Sequence, residues 1–244
     1  AGLARYVEAA PDKTLAFVDR MQREHGLPTM AHRTCVNATR VETRAVLDEA
    51  KRRGIRNILA LRGDPPRGRP FVATPDGFEY SYQLVRFIRE LGEFSIGVAG
   101  FPEGHIACTE GKYVDWQRLK HKVDQGADFV ITQLFFDNAD FFEFQEHLHN
   151  RLGSHVTLVP GLLPILSGSQ VRKFTELCGA RLPAPMLARL NELGTDDAAV
   201  TQYGIDYTIA QARELLDRGV TGLHFYSLNK ARSTVEVVRR LGLA

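Results

Sequence analysis

Polar side chains gather where short apolar runs of this chain stop. His32 and Thr34 lie at the first such place, Arg62-Gly63-Asp64 follow Ile58-Leu59-Ala60-Leu61, Glu103 and His105 follow Phe101, Gln133 closes Val130-Ile131-Thr132, and Asn229-Lys230 come last. A carboxylate such as Asp64 at the end of an apolar strand can tune a bound group electrostatically or accept a hydrogen bond from a ligand N–H. It can equally cap the turn before Pro65. Arg62 can pair with it or reach a phosphate. Gln133 offers an amide that donates and accepts at once, as recognition of a heterocycle edge requires, and a hydrogen-bonded core glutamine is the equal alternative. By itself His32 reads as a satisfied core histidine.

The segment Asp115-Trp116-Gln117-Arg118-Leu119-Lys120-His121-Lys122 reads as helix and sets Asp115, Arg118 and Lys122 along one face at three- and four-residue spacing. Such a face suits a pyrophosphate, although on its own it reads as a solvated helix surface. Phe135-Phe136 and Phe141-Phe142 read as core and helix packing rather than a cofactor platform.

Elements that bring these residues together follow from the alternation of short apolar runs with longer amphipathic segments, the pattern of βα units on a parallel sheet. Strands are expected near Thr29–Thr34, Asn57–Arg62, Ser95–Phe101, Phe129–Gln133, Thr157–Pro160 and Gly222–Tyr226. Between them, Val41, Ala45, Leu47 and Ala50, or Phe141, Phe144 and Leu148, recur at helical spacing. After Pro164 three helical stretches, Gln170–Cys178, Ala184–Leu193 and Gln202–Arg218, form an enlarged last connection. The stretch Gly63–Gly77, rich in proline and glycine, is expected to be a long loop. In a parallel barrel the ends of all the strands share one rim, where loops carry function, so the polar residues converge on one pocket.

Composition narrows the class. The 244 residues suit one large domain, and 44% hydrophobic with 25% charged residues describes an ordinary globular chain. A formal charge of +2 gives no global attraction to nucleic acid or to a membrane surface. Cys35, Cys108 and Cys178 have no paired zinc spacing, so no metal site is expected, and an odd count argues against a disulfide framework. A reducing cytoplasmic setting fits best. No apolar run approaches a membrane span, and Ala1–Ala10 lacks the pattern of a signal peptide.

Read together, His32-Arg33-Thr34-Cys35, Leu61-Arg62-Gly63-Asp64-Pro65-Pro66, Phe101-Pro102-Glu103-Gly104-His105, Ile131-Thr132-Gln133-Leu134-Phe135-Phe136-Asp137, Pro160-Gly161-Leu162-Leu163-Pro164 and His224-Phe225-Tyr226-Ser227-Leu228-Asn229 resemble the methylenetetrahydrofolate reductase family, in the family's order. The resemblance implies a (β/α)8 TIM barrel that holds FAD, takes hydride from NADH or NADPH, and converts 5,10-methylenetetrahydrofolate to its 5-methyl product. It implies flavin contacts at His32, Arg62, Gly63, Asp64, Ser81, Phe101, His105, Asp115, Arg118 and Lys122, with Lys122 as the pyrophosphate partner. Asp64 and Gln133 take the catalytic positions, Asp64 between flavin and pterin and Gln133 serving folate and nicotinamide in turn, which implies ping-pong exchange. Gln170, Phe174 and Lys230 match folate contacts. A homo-oligomer is expected.

The chain departs from this pattern at its start. The family begins with a strand of the type Glu-Phe-Phe-Pro-Pro, bearing the general acid, and a second strand. Neither is visible, so the single barrel domain reads as incomplete on its N-terminal side, with Ala1–Ala10 helical and Glu8 not assignable to the acid. Phe101 stands where many relatives carry tyrosine and Lys230 where many carry arginine, which loses a hydroxyl and a bidentate fork. Two other functions stay open: a folate-binding barrel without reductase activity, and a reductase passing hydride directly from nicotinamide without tightly bound FAD.

Overall fold

The computed structural model describes residues 11–64 and 71–243. The expected helix over Ala1–Ala10, Glu8, and Pro65-Pro66 lie outside them. Each expected strand forms: β1 (Met30–Thr34), β2 (Asn57–Leu61), β3 (Ser95–Gly100), β4 (Phe129–Leu134), β5 (Thr157–Leu162) and β6 (His224–Phe225). They are hydrogen-bonded in chain order. Six strands are thus present among the described residues, in an α/β arrangement. β5 runs two residues past its expected end because Gly161 and Leu162 pair with His224 and Phe225, and that pairing is all there is of β6.

The helices are α1 (Pro11–His25), α2 (Arg40–Arg52), α3 (Ser81–Leu91), α4 (Lys112–Asp124), α5 (Asn138–Glu146), α6 (Gly168–Cys178), α7 (Ala184–Leu193), α8 (Asp197–Asp217) and α9 (Ala231–Arg240). The three-helix connection between β5 and β6 is as expected, and α7 matches its predicted bounds. Local chemistry starts several of them. Thr39 and Glu42 form a capping box on α2, the Glu42 N–H donating to Thr39 Oγ1 at 3.2 Å and the Thr39 N–H to Glu42 Oε2 at 2.8 Å. Asp137 accepts from the Ala139 N–H at the start of α5, and Asp196 from two N–H groups at the start of α8. Residues 71–77 carry no helix or strand, as expected of the long loop, and Gly77 ends them in an isolated bridge to Thr39.

Two compact units divide the chain. In the first, residues up to Ala99 together with Arg118–Val130, β1 pairs β2 in parallel from Met30↔Asn57, and β2 pairs β3 in parallel from Asn57↔Ser95. Its buried side chains include Leu47, Ile55 and Ile58 from the α2–β2 region, Phe78, Leu84 and Ile88 from α3 and its approach, and Ile96 and Val98 from β3. The second unit, Gly100–Gln117 with Ile131 onward, packs Leu134 and Phe136 against Leu163, Val171, Met186 and Val200. A smaller cluster of Ile205, Ile209 and Val237 joins α8 to α9. Burying these apolar side chains, each contributing about 1.5–3 kcal/mol, is what holds the sheet ends in place.

Phe135, Phe136 and Phe141 are core residues as expected, while Phe142 carries the Arg218 guanidinium 3.4 Å above its ring. No disulfide joins the three cysteines. Cys35 is buried, and that burial pushes its pKa up to about 12, so it is an inert packing residue. No helix among the described residues is long and apolar enough to cross a membrane.

Candidate functional site

In the first unit the segment after β2 is fixed by backbone bonds. The N–H groups of Cys35 and Val36 both donate to the Arg62 carbonyl, at 3.0 and 3.2 Å. Gly63 then takes φ +82, and a Cβ there would stand 2.9 Å from Val36 Cγ2, so only glycine lets the chain turn this closely past Val36. The turn delivers Asp64, whose Oδ2 is buried and has no hydrogen-bond partner among the described residues. Arg62 is half-buried and lies over the Phe71 ring at 5.1 Å, so its guanidinium stacks on the loop and does not point freely to water.

His32 is not the buried, satisfied core histidine that its isolated setting suggests. It is solvent-accessible between buried Ala31 and Arg33, although the protein crowded around it still lowers its pKa. Ser81 is half-buried at the first position of α3. Arg118 is exposed, and Lys122 is half-buried with Nζ donating to the Ala99 carbonyl at 2.7 Å. Lys122 is therefore anchored to the end of β3 and is not part of a freely solvated face.

In the second unit the stretch after β3 is held by Trp116, fully buried, whose Nε1 donates to the Phe101 carbonyl at 2.9 Å. The Phe101 and His105 rings meet edge-on at 4.5 Å. The His105 N–H donates to Asp115 Oδ2 at 3.1 Å, and His105 Nδ1 accepts from the Ala107 N–H at 3.0 Å. A neutral His105 therefore carries its proton on Nε2. These contacts bring Phe101, His105 and Asp115 into one cluster.

Gln133 is half-buried, its Oε1 accepting from the Leu134 N–H at 3.0 Å. It lines a pocket with Phe101, Pro102, Glu103, Gly104, Leu134, Cys178 and Ala180. Gln170 has a structural job: its Oε1 accepts from the Leu166 N–H at 2.9 Å while its own N–H donates to Ser167 Oγ, which starts α6. Phe174 packs against the apolar cluster around Leu163 and Val171. Lys230 is exposed at the N-terminus of α9, following Leu228 and Asn229, both with positive φ.

Glu103 was visible in the sequence only as one polar residue among several. In the structure it is a pocket residue, and burial, helped by Asp140 and Asp137, pushes its carboxyl up to about 7 against the opposing pull of the Arg181 N–H and charge. A group that titrates near neutrality in a pocket is a candidate for proton handling or ligand selection.

Comparison with known proteins places the chain in a family. A model of the family described as methylenetetrahydrofolate reductase matches residues 6–242. The chain belongs to the methylenetetrahydrofolate reductase family. Methylenetetrahydrofolate reductase (NADH) 1 of Arabidopsis thaliana is 37% identical over 243 residues, covering 95% of this chain and 41% of that protein. The 5,10-methylenetetrahydrofolate reductase of Pectobacterium carotovorum is 32% identical over 234 residues, covering 95% of this chain and 76% of that protein. The chain thus spans well under half of the plant relative and about three quarters of the bacterial one. Among solved structures, a Clostridium thermocellum protein described as binding two copies of 5-methyl-5,6,7,8-tetrahydrofolic acid superposes with a TM-score of 0.57 at 13% identity, covering 91% of this chain and 76% of that one. At that identity the likeness concerns the fold.

Proposed function

We propose that this chain reduces 5,10-methylenetetrahydrofolate to 5-methyltetrahydrofolate with hydride from NADH or NADPH by way of bound FAD, on a single (β/α)8 barrel domain to which the six described strands belong. Asp64 is the observation that carries the reading. An unpartnered buried carboxylate oxygen costs about 1–3 kcal/mol or more unless a ligand completes it. Here the backbone turn at Gly63 is built to deliver that oxygen.

The residues fit a flavin. In the first unit Arg62, Gly63 and Asp64 form a turn with one acceptor unsatisfied among the described residues, His32 and Ser81 offer accessible polar groups, and Arg118 and Lys122 offer cations for a pyrophosphate. In the second unit Phe101 offers a half-buried aromatic face, and the His105 ring, which meets it edge-on, is held through Asp115. The chemistry that bound FAD supplies is hydride relay between nicotinamide and folate.

The protein's own part is binding and orientation. Asp64 accepts from the pterin, and its negative charge disfavours further negative charge beside it. Gln133 keeps its Oε1 on the Leu134 N–H and has its amide Nε2–H groups to donate. Phe174 supplies apolar contact, Gln170 still has donors after capping α6, and Lys230 supplies a cation for the carboxylates of a folate tail.

The absorbance spectrum tests this reading. Purified protein, as isolated or after addition of FAD, is expected to be yellow, to bleach with NADH or NADPH, and to recover colour when methylenetetrahydrofolate is added. Protein that neither holds FAD nor recovers its colour with the folate overturns it.

A further inference from the structure

Three stretches of the second unit meet at Arg181, between α6 and α7. Its backbone N–H donates to Glu103 Oε1 at 2.9 Å, and its Nη2 donates to both oxygens of Asp140, at 3.1 and 2.8 Å. Asp137 Oδ2 stands 3.8 Å from the same nitrogen, and Arg181 Nε stands 3.8 Å from Glu103 Oε1. Glu103 follows β3, Asp137 and Asp140 follow β4, and Arg181 follows β5 and α6, so one residue ties the segments beyond three successive strands. The carboxylates of Glu103 and Asp140 are 16% and 13% exposed, against 59% for Arg181. The acids are inside and the cation covers them.

We propose that Arg181 is a positioning residue for the folate pocket: by tying Glu103 to Asp140 it fixes the carboxyl that shares the pocket with Gln133, and sets whether that wall offers a hydrogen-bond donor or an acceptor. The inference rests on the reductase reading for its ligand, and on geometry alone for its device.

A balance among the groups that face Glu103 sets its charge. Burial and the charges of Asp140 and Asp137 favour its neutral form, while the Arg181 N–H and guanidinium favour the carboxylate. The Cys178 thiol in the same pocket is itself pushed up, by burial first, and stays neutral. With the carboxyl poised at about 7, small changes at Arg181 decide its state. The acid form donates; the carboxylate only accepts. A ligand that meets this wall with an N–H binds the carboxylate form, and one that meets it with a carbonyl binds the acid form.

Arg181→Met and Asp140→Asn, with Glu103→Gln to identify the signal, provide the test. In ligand-free protein with 13C-labelled glutamate carboxyls, Arg181→Met is expected to move the Glu103 titration upward and Asp140→Asn downward. In turnover, Arg181→Met is expected to raise KM for methylenetetrahydrofolate roughly tenfold with kcat within about twofold. Its KM–pH profile moves with the carboxyl titration, and Glu103→Gln flattens that profile near neutrality. An unmoved titration in both variants, or a wild-type KM and pH profile in Arg181→Met, overturns the proposal. Wild-type protein without any turnover counts against the reductase reading instead, and the ligand-free titration still decides the role of Arg181.

Discussion

Tyr226 donates its hydroxyl to the Thr132 carbonyl at 2.8 Å, reaching from the end of β6 past β5 to β4. Gly161 of β5 lies between them, its N–H donating to Thr132 Oγ1 at 2.9 Å. A Cβ on Gly161 would stand 2.3 Å from the Thr132 carbonyl oxygen and 2.6 Å from Tyr226 Cε2. Because β6 has only two residues, this bond and that of the Tyr226 N–H to the Leu162 carbonyl at 2.8 Å fasten the last strand to its neighbour β5 and, across it, to the strand that bears Gln133.

Gly161→Ala should therefore destabilise the protein by about 2–3 kcal/mol through overpacking against backbone. Tyr226→Phe, which leaves the Thr132 carbonyl without that donor, should cost about 1–2 kcal/mol. Urea denaturation measures both, and a Gly161→Ala midpoint equal to the wild type contradicts the packing described.

Glu103 should make stability fall as pH rises. Its folded carboxyl titrates at about 7, above the usual value of 4.5, so between those values the folded state holds a proton that the unfolded chain releases. Stability from this group is full below the unfolded value and is lost as pH climbs through the folded one. Glu103→Gln should remove that slope and leave the variant more stable than wild type at pH 8, by on the order of 2 kcal/mol. Parallel stability–pH curves for the two proteins would count against it.

Asp64 should trade stability for function. Asp64→Ala removes a buried oxygen that has no partner among the described residues, so ligand-free protein should gain about 1 kcal/mol while turnover falls roughly a hundredfold. Thermal melting and steady-state kinetics on the same preparation check the pair. A variant that is both less stable and fully active contradicts the assignment.

If Lys122, whose Nζ is anchored to the Ala99 carbonyl, is the pyrophosphate partner proposed above, Lys122→Met should weaken FAD about tenfold, or about 1.4 kcal/mol. Equilibrium dialysis against FAD at low and high salt reads it, with a smaller salt dependence expected in the variant. Unchanged affinity at low salt removes Lys122 from the site.

The strands and α7 were legible because apolar runs and helical spacing are local signals. β6 was overextended by the same reading, since its length is set by what β5 has left to pair, not by its own residues. Gln170 could have been read as a cap: Ser167 and Gln170 have the spacing of a residue pair that opens a helix. His32 could not be placed, because exposure on a strand face depends on what covers it. Glu103 and Arg181 were beyond local reading for the same reason, as their bond joins residues 78 positions apart.

The central claim is that this chain couples nicotinamide oxidation to folate reduction through the residues around Asp64. Its most direct test is anaerobic assay of purified protein with FAD, NADH or NADPH, and 5,10-methylenetetrahydrofolate, quantifying both products in wild type and Asp64→Ala. The account predicts 5-methyltetrahydrofolate and oxidised nicotinamide in equal amounts from wild type, and almost none from the variant. Oxidised nicotinamide without methyltetrahydrofolate, or an Asp64→Ala yield equal to wild type, would contradict it.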